Sequence, residues 1–199
     1  MPAARKQYRR TRKTPLLLVW LLLAMAFPAG SQTVTKSPLD LDGRPADPFR
    51  LAGSKLVVFL FIRTDCPISN RYAPTIQELA SRYGKQASFF LVYPIASETP
   101  EQIRKHLQDY SYHLPALRDP DLALARKSRV TITPEAAVFS ADKRLLYHGR
   151  IDDWYIEFGR ARRAPTTHEL ASTLTSAIAH KPVTTTDAPA VGCFIPGLT

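Results

Sequence analysis

Cys66 and Cys193 are the only two thiols in this 199-residue chain. Cys66 stands in the segment Arg63-Thr64-Asp65-Cys66-Pro67, where an unbroken apolar run stops and a helical pattern starts. The first amides of a helix and their partial positive charge stabilise a thiolate, drawing its pKa down from about 8.5. Arg63 and Arg71 would add positive charge near the sulfur, and Asp65 would oppose it. A thiol placed in this way is a nucleophile toward disulfides and peroxides; the other reading is a buried cysteine acting as a small hydrophobe. Ser69 and the helix amides are the candidate hydrogen-bond donors to the thiolate. Cys193 lies in a tail reading Val191-Gly192-Cys193-Phe194. It could resolve an oxidised Cys66 by attacking a sulfenic acid or a mixed disulfide. It could instead be a permanent staple, worth roughly 5 kcal/mol on the chain-entropy view, or it could pair with another protein or a metal.

Other reactive side chains give weaker patterns. The five histidines, His106, His113, His148, His168 and His180, show no metal-ligand spacing. Asp152-Asp153 reads as an acidic site or as a turn. Arg160, Arg162 and Arg163 read as a solvated basic loop. Trp154-Tyr155 beside the acids would form a contact surface or cover the edge of the core.

The elements that must hold Cys66 follow from the hydrophobic pattern. Leu56–Ile62 is apolar throughout, as expected of a central strand covered on both faces. Ile68–Tyr83 has apolar residues at helical spacing, with Pro74 predicting a kink or a late start. Ser88–Tyr93 is a second apolar strand. A helix follows to about Tyr110, with Thr99 as N-cap and Pro100 as its first residue. Leu114–Leu117 is predicted as an edge strand and Asp121–Ser128 as a short helix. Ile132–Phe139 reads as a strand entered through Pro134, followed by a turn over Ser140–Lys143 and a returning strand over Arg144–Ile151. Thr167–Ala179 is the last helix, with Thr167 as its cap. Residues 32–54, rich in Pro, Asp and Gly, predict turns. Alternating elements followed by a hairpin imply a mixed sheet flanked by helices, in a single domain.

Charge and termini set the context. Net charge is +10, but Arg5, Lys6, Arg9, Arg10, Arg12 and Lys13 carry six positives before any acid appears, leaving +4 for the rest. No nucleic-acid motif accompanies this charge, so no nucleic-acid partner is expected. The basic stretch precedes the uncharged run Leu16–Phe27 and the small residues Ala29, Gly30 and Ser31, the order of a secretory signal. The run is short of the ~20 residues of a membrane span. An uncleaved anchor giving membrane association is the other reading. Either places the domain in an exported, disulfide-permitting compartment, periplasmic or extracellular. The expected division is a signal peptide or anchor over 1–31, a folded domain over 32–180 and a tail over 181–199.

The succession strand, Asp-Cys-Pro, helix, strand, helix, then Thr133-Pro134 before a hairpin and a last helix, resembles the thioredoxin superfamily. Within it the chain is similar to the redoxin branch, the alkyl hydroperoxide reductase and thiol-specific antioxidant group. The stretch Arg63–Tyr72, with Ile151-Asp152-Asp153 and a late Gly-Cys, resembles a subgroup of exported bacterial redoxin-like proteins. The resemblance covers roughly residues 35–180. It implies an α/β, three-layer thioredoxin-like fold, with a cis-proline at Pro134 beside the reactive cysteine and His148 able to approach it. Three departures stand out. Ser69 replaces the second cysteine of C-x-x-C; Arg63 and Phe59 occupy the positions of the peroxidase Thr/Ser and Pro; and Asn70 stands where copper-delivering relatives have the second cysteine of C-x-x-x-C. The resemblance implies an extracytoplasmic thiol oxidoreductase acting on a protein disulfide or a peroxide, with a reductant protein as partner and no organic cofactor. The rival is a non-catalytic accessory for copper or haem assembly, or a partner-binding module.

Overall fold

In the computed structural model, which describes Met1, residues 37–183 and residues 188–198, Asp47 caps a short helix, α1 (Pro48–Ala52). The chain then forms β1 (Leu56–Phe61), α2 (Pro67–Arg71), α3 (Ala73–Tyr83), β2 (Ala87–Tyr93) and α4 (Pro100–Asp109). Next come β3 (Ala116–Arg118), α5 (Ala123–Ser128), β4 (Ile132–Thr133), β5 (Glu135–Phe139) and β6 (Leu145–Gly149). Last are β7 (Tyr155–Glu157), β8 (Arg160–Ala161), α6 (Glu169–Ile178) and β9 (Cys193–Phe194). Apart from Met1, the targeting segment expected over residues 1–31 lies outside the described residues. Among the described residues, no helix is long and apolar enough to cross a membrane.

The main sheet has the order β3-β2-β1-β5-β6, with β1 at its centre. β1 pairs parallel with β2 and antiparallel with β5. This position explains why β1 is apolar on both faces. Its alternate residues enter two separate cores, as the two-residue period of a strand requires. Val58, Leu60 and Ile62 pack with Ile76 of α3, Ile103 of α4, and Leu170 and Leu174 of α6. Val57, Phe59 and Phe61 pack with Phe49 of α1, Leu124 and Ala125 of α5, and Ile195 of the tail. Phe59 meets Phe49, Phe61 and Phe139 edge to face, with ring centres 5.6–6.3 Å apart. The fold is therefore a three-layer α/β arrangement, with the loop that carries Cys66 leaving the end of the central strand.

Several boundaries depart from the sequence expectation. The single helix expected over Ile68–Tyr83 breaks at Tyr72, and α3 begins with Pro74 in its first turn, where a missing N–H leaves no bond unmade. The strand expected over Ile132–Phe139 divides at Pro134, which has no N–H for a ladder; β4 and β5 belong to different sheets. Thr167 does not cap α6. His168 holds that position without a side-chain bond, and the Thr167 hydroxyl donates to Glu169. Three elements had no sequence expectation: α1, the β7–β8 hairpin, and β9, which pairs antiparallel with β4. Thr99, in contrast, does cap α4, with Gln102 completing a reciprocal capping box.

Asp152 and Asp153 act as latches. Asp152 Oδ1 accepts from Tyr72 Oη at 2.6 Å and from the Trp154 amide at 2.9 Å, tying the loop to the α2–α3 junction. Tyr72 also packs against the Trp154 and Tyr155 rings. Asp153 accepts from the Thr166 and Thr167 amides at 2.6 and 2.9 Å, and pairs with Arg162 at 3.0 Å. Burial alone would raise its pKa. The Thr166 hydroxyl, the two amides and Arg162 outweigh burial and hold the carboxyl well below its usual range. A carboxylate depressed in the folded state contributes stability above its unfolded pKa of about 4 and loses it as pH falls below that value. Asp153→Ala should therefore lower the unfolding free energy at pH 7 by about 2–3 kcal/mol. The gap to the parent protein should close in urea titrations as the pH falls below about 4.

Candidate active site

Cys66 is the N-cap of α2, in extended backbone (φ −89°, ψ 111°), and its side chain is wholly buried. Its position follows from the local sequence. β1 ends at Phe61, the backbone turns through Thr64 and Asp65, and Pro67 starts the helix without needing a donor. The Ser69 amide points at Cys66 Sγ at 3.5 Å. On the other side Sγ faces the Thr133 carbonyl at 3.4 Å. The chain enters β5 through a cis Thr133–Pro134 bond, so the predicted proline stands next to the residue that touches the sulfur.

Cys193 comes to the same place from the far end of the chain. β9 runs antiparallel to β4 with Cys193 opposite Thr133 and Phe194 opposite Ile132. The Ile195 amide extends the ladder to the Thr131 carbonyl at 2.9 Å, and the Thr133 hydroxyl donates to the Cys193 carbonyl at 3.3 Å. The approach is so close that a Cβ built on Gly192 would stand 2.0 Å from the Thr133 carbonyl oxygen. Cys193 Sγ lies 2.9 Å from Cys66 Sγ, across 127 positions of sequence, and both cysteines are free. Cys193 is half-buried, so of the two sulfurs it is the one nearer solvent.

The two thiols are electrostatically unlike. Burial is the largest influence on Cys66 and would push its pKa up. The Cys193 thiol, the Ser69 amide and hydroxyl, and the Ile68 amide outweigh it, and the pKa falls below that of an ordinary thiol. Cys193 is pushed up to about 11 by burial, by its bond to Cys66 and by the charge on Cys66. When one proton is shared between the sulfurs, it therefore rests on Cys193, which donates it toward a Cys66 thiolate.

The other expected residues fall into two groups. Ser69 is at the site: its amide faces the sulfur, and its buried hydroxyl has no hydrogen-bond partner of ordinary geometry. Arg63 was expected to lend charge to Cys66. It forks onto Asp65 at 2.5 and 2.8 Å, and its charge lowers the Cys193 pKa. Arg71 lies over the Trp154 ring at 4.8 Å. His148 bonds Glu135 at 3.4 Å rather than Cys66, and Glu135 in turn accepts from the Thr131 and Ile132 amides beside β4. Among the described residues, no group of three or more His, Cys, Asp or Glu side chains is placed to hold a metal ion. The sequence reading missed Gly192, whose role appears only once β9 lies on β4. It also missed Asn70, Glu98 and His106, which surround the loop before Cys66.

Comparison with known proteins agrees with this geometry. A hypothetical protein of Sinorhizobium meliloti 1021 superposes with TM-score 0.67 at 23% identity, over 79% of this chain and 88% of that one. An uncharacterized conserved protein of Geobacillus kaustophilus gives 0.68 at 23%, over 80% and 88%. A secreted disulfide oxidoreductase of Mycobacterium tuberculosis gives 0.50 at 18%, over 71% and 96%. At these identities the likeness shows a shared thioredoxin-like fold. A search of curated proteins finds no match. The AhpC/TSA family matches residues 29–148, more than half of the sequence and all of the segment that builds the Cys66 loop and β4. With that match and this fold, the chain belongs to the AhpC/TSA family, in the redoxin branch of the thioredoxin superfamily.

Proposed function

We propose that this protein is an exported two-cysteine thiol oxidoreductase in which Cys66 is the nucleophile and Cys193 the resolving thiol. The observation that carries this reading is the 2.9 Å contact between sulfurs whose pKa values are displaced in opposite directions. With a peroxide, the Cys66 thiolate attacks one oxygen and the O–O bond breaks. Cys66 becomes a sulfenic acid, and the departing alkoxide or hydroxide takes a proton to leave as alcohol or water. Cys193 then attacks the Cys66 sulfur; an S–S bond forms, the S–O bond breaks, and hydroxide leaves with the Cys193 proton as water. With a disulfide substrate, the Cys66 thiolate attacks one sulfur, the substrate S–S bond breaks and the first substrate thiolate leaves; Cys193 then attacks Cys66 in the mixed disulfide, giving up its proton, and expels the second substrate thiol. Both routes end at a Cys66–Cys193 disulfide.

The reaction itself activates the resolving thiol. Two of the influences that raise Cys193 are its bond to Cys66 and the negative charge there. Oxidation of Cys66 removes that charge, while Arg63 continues to favour a Cys193 thiolate. Reduction should run through the same asymmetry. An external thiolate reaches the half-buried Cys193 sulfur, and Cys66, the thiol of lower pKa, is the better leaving group. A permanent staple is the weaker reading, because the tail is already held without a bond between the sulfurs. Ile195 is fully buried in the core, and the Ala188 carbonyl accepts from the Arg150 amide at 3.0 Å. The proposed division is a targeting segment over residues 1–31, a catalytic domain over 32–180 and a resolving tail over 181–199.

Thiol counting by alkylation and mass spectrometry tests the cycle. Peroxide or a small disulfide should convert the reduced protein to an intramolecular Cys66–Cys193 disulfide. Cys193→Ser should stop at a Cys66 sulfenic acid that dimedone captures. Glutathione should then open the oxidised protein with its adduct on Cys193 and a free Cys66. Two free thiols after oxidant treatment would refute the reading. A second measurement concerns the strand that covers Cys66. Gly192→Val drives a side chain into the Thr133 carbonyl, so β9 should lift from β4. Alkylation of reduced Cys66 should then accelerate about tenfold or more, the effect of freeing a local opening by 1.4 kcal/mol.

A further inference from the structure

The loop that delivers Cys66 is held by groups the redox cycle does not use. Thr64, two residues before the cysteine, is gripped at both polar atoms of its backbone. Its amide donates to Glu98 Oε1 at 2.6 Å, and its carbonyl accepts from Asn70 Nδ2 at 3.1 Å. The Asn70 amide itself donates to the Cys66 carbonyl at 3.0 Å, so the side chain turns back over the first turn of α2 onto the loop. Donation through Nδ2 leaves Asn70 Oδ1 facing His106 Nε2 at 2.8 Å. Oδ1 can only accept, so Nε2 carries the hydrogen and Nδ1 accepts from Tyr93 Oη at 2.9 Å. Burial lowers the His106 pKa and favours the neutral ring, in which Nδ1 is the acceptor. The ring is fixed among Tyr93, Tyr110 and Tyr112, with ring centres 4.8–5.9 Å away. Glu98 is nearly buried and its second oxygen has no hydrogen-bond partner, so its one strong bond is spent on the Thr64 amide.

We infer that Asn70 is a positioning residue: oriented by His106 and Tyr93, and opposed by Glu98 across Thr64, it sets where the Cys66 sulfur stands against the Ser69 amide and Cys193. The inference rests on the reading of Cys66 as the reacting thiol. It gives a use to the residue that occupies the second-cysteine position of the C-x-x-x-C pattern. The sulfur contacts in question, 3.5 Å to the amide and 2.9 Å to Cys193, are short-range, so a displacement of half an ångström in the loop weakens both. A polar cluster that merely filled space would change stability when cut and leave the thiol unaltered.

Asn70→Leu keeps the shape and removes both bonds. His106→Phe keeps the packed ring, leaves Thr64 untouched and removes the orientation of Asn70. The readout is the pH dependence of Cys66 alkylation in the intact reduced protein, mapped by mass spectrometry beside the thermal midpoint. Asn70→Leu should raise the Cys66 pKa by about one unit, a tenfold change in proton affinity, and slow disulfide formation at neutral pH by a similar factor. His106→Phe should move both in the same direction by about half as much. Folded variants whose Cys66 titrates as in the parent would overturn the inference, whatever their thermal midpoint. If Asn70→Leu does not fold, the His106→Phe titration decides alone. Failure of the redox reading is separable: there the parent protein forms no Cys66–Cys193 disulfide, while the Cys66 titration still reports on Asn70.

Discussion

A sulfur buried in a protein core carries negative charge only when donors replace the water it has lost. Cys66 is wholly buried, and burial is the largest single influence raising its pKa. Groups reach it from three directions, and its thiolate depends on the donors in two of them. The start of α2 supplies the Ile68 and Ser69 amides, and the tail supplies the Cys193 thiol. The third direction is the β4 carbonyl of Thr133, an acceptor that the sulfur can engage only as a thiol. The protonated form thus has one well-placed partner and the ionised form has several. Much of the rest of the molecule, from the apolar β1 to the pinned tail, holds these groups in register.

Covalent distance and spatial distance are decoupled here. A second cysteine within the α2 turn would share the donors that Cys66 uses. Ser69 occupies that position, and its amide is free to serve one sulfur. The second sulfur instead comes from β9, paired with β4, so the helix stabilises one thiol while the tail supplies the other. Because the tail is anchored at Ala188 and Ile195, Cys193 can make or lose a bond to Cys66 without the tail leaving the domain. Both anchors are non-covalent contacts formed by folding, which is why the sulfurs already touch while both are free.

Much of the scaffold was legible in the sequence because its signals are local. Leu56–Phe61 is apolar at every position, as expected of a central strand with two covered faces. Thr99-Pro100 carries a capping box that needs no tertiary support. The position of Cys66 followed from Pro67 and the end of the apolar run. The remainder depends on contacts between distant segments. Nothing local in Cys193-Phe194 marks a strand; two residues become one because β4 presents an unpaired edge to them. Arg63 looked free to act on Cys66 until the fork onto Asp65 was in view. Asp152 and Asp153 resemble any acidic turn until Tyr72, Thr166 and Thr167 arrive from elsewhere. In the sequence Asn70 reads only as the absence of a cysteine, because its partners lie on the Thr64 loop and on α4, where His106 is held in turn by Tyr93 of β2.

The same geometry bears on what can reach Cys66. β9 lies directly over the Thr133 carbonyl that touches Cys66, so the reduced site is closed to anything that must pair with β4. The cover itself is slight. It is a two-residue ladder extended by one further bond at Ile195, and a ladder of this length is marginal without support from its flanks. That support comes from the anchors on either side rather than from the strand. Residues 189–194 are thus a short bridge between fixed points, with the glycine that permits close approach adjoining Cys193. On the proposed cycle, a lift of this bridge would uncover Cys66 and separate the sulfurs in the same movement, while the anchors at Ala188 and Ile195 would keep Cys193 close by. Access to Cys66 and its contact with Cys193 would then be governed by two positions of one segment.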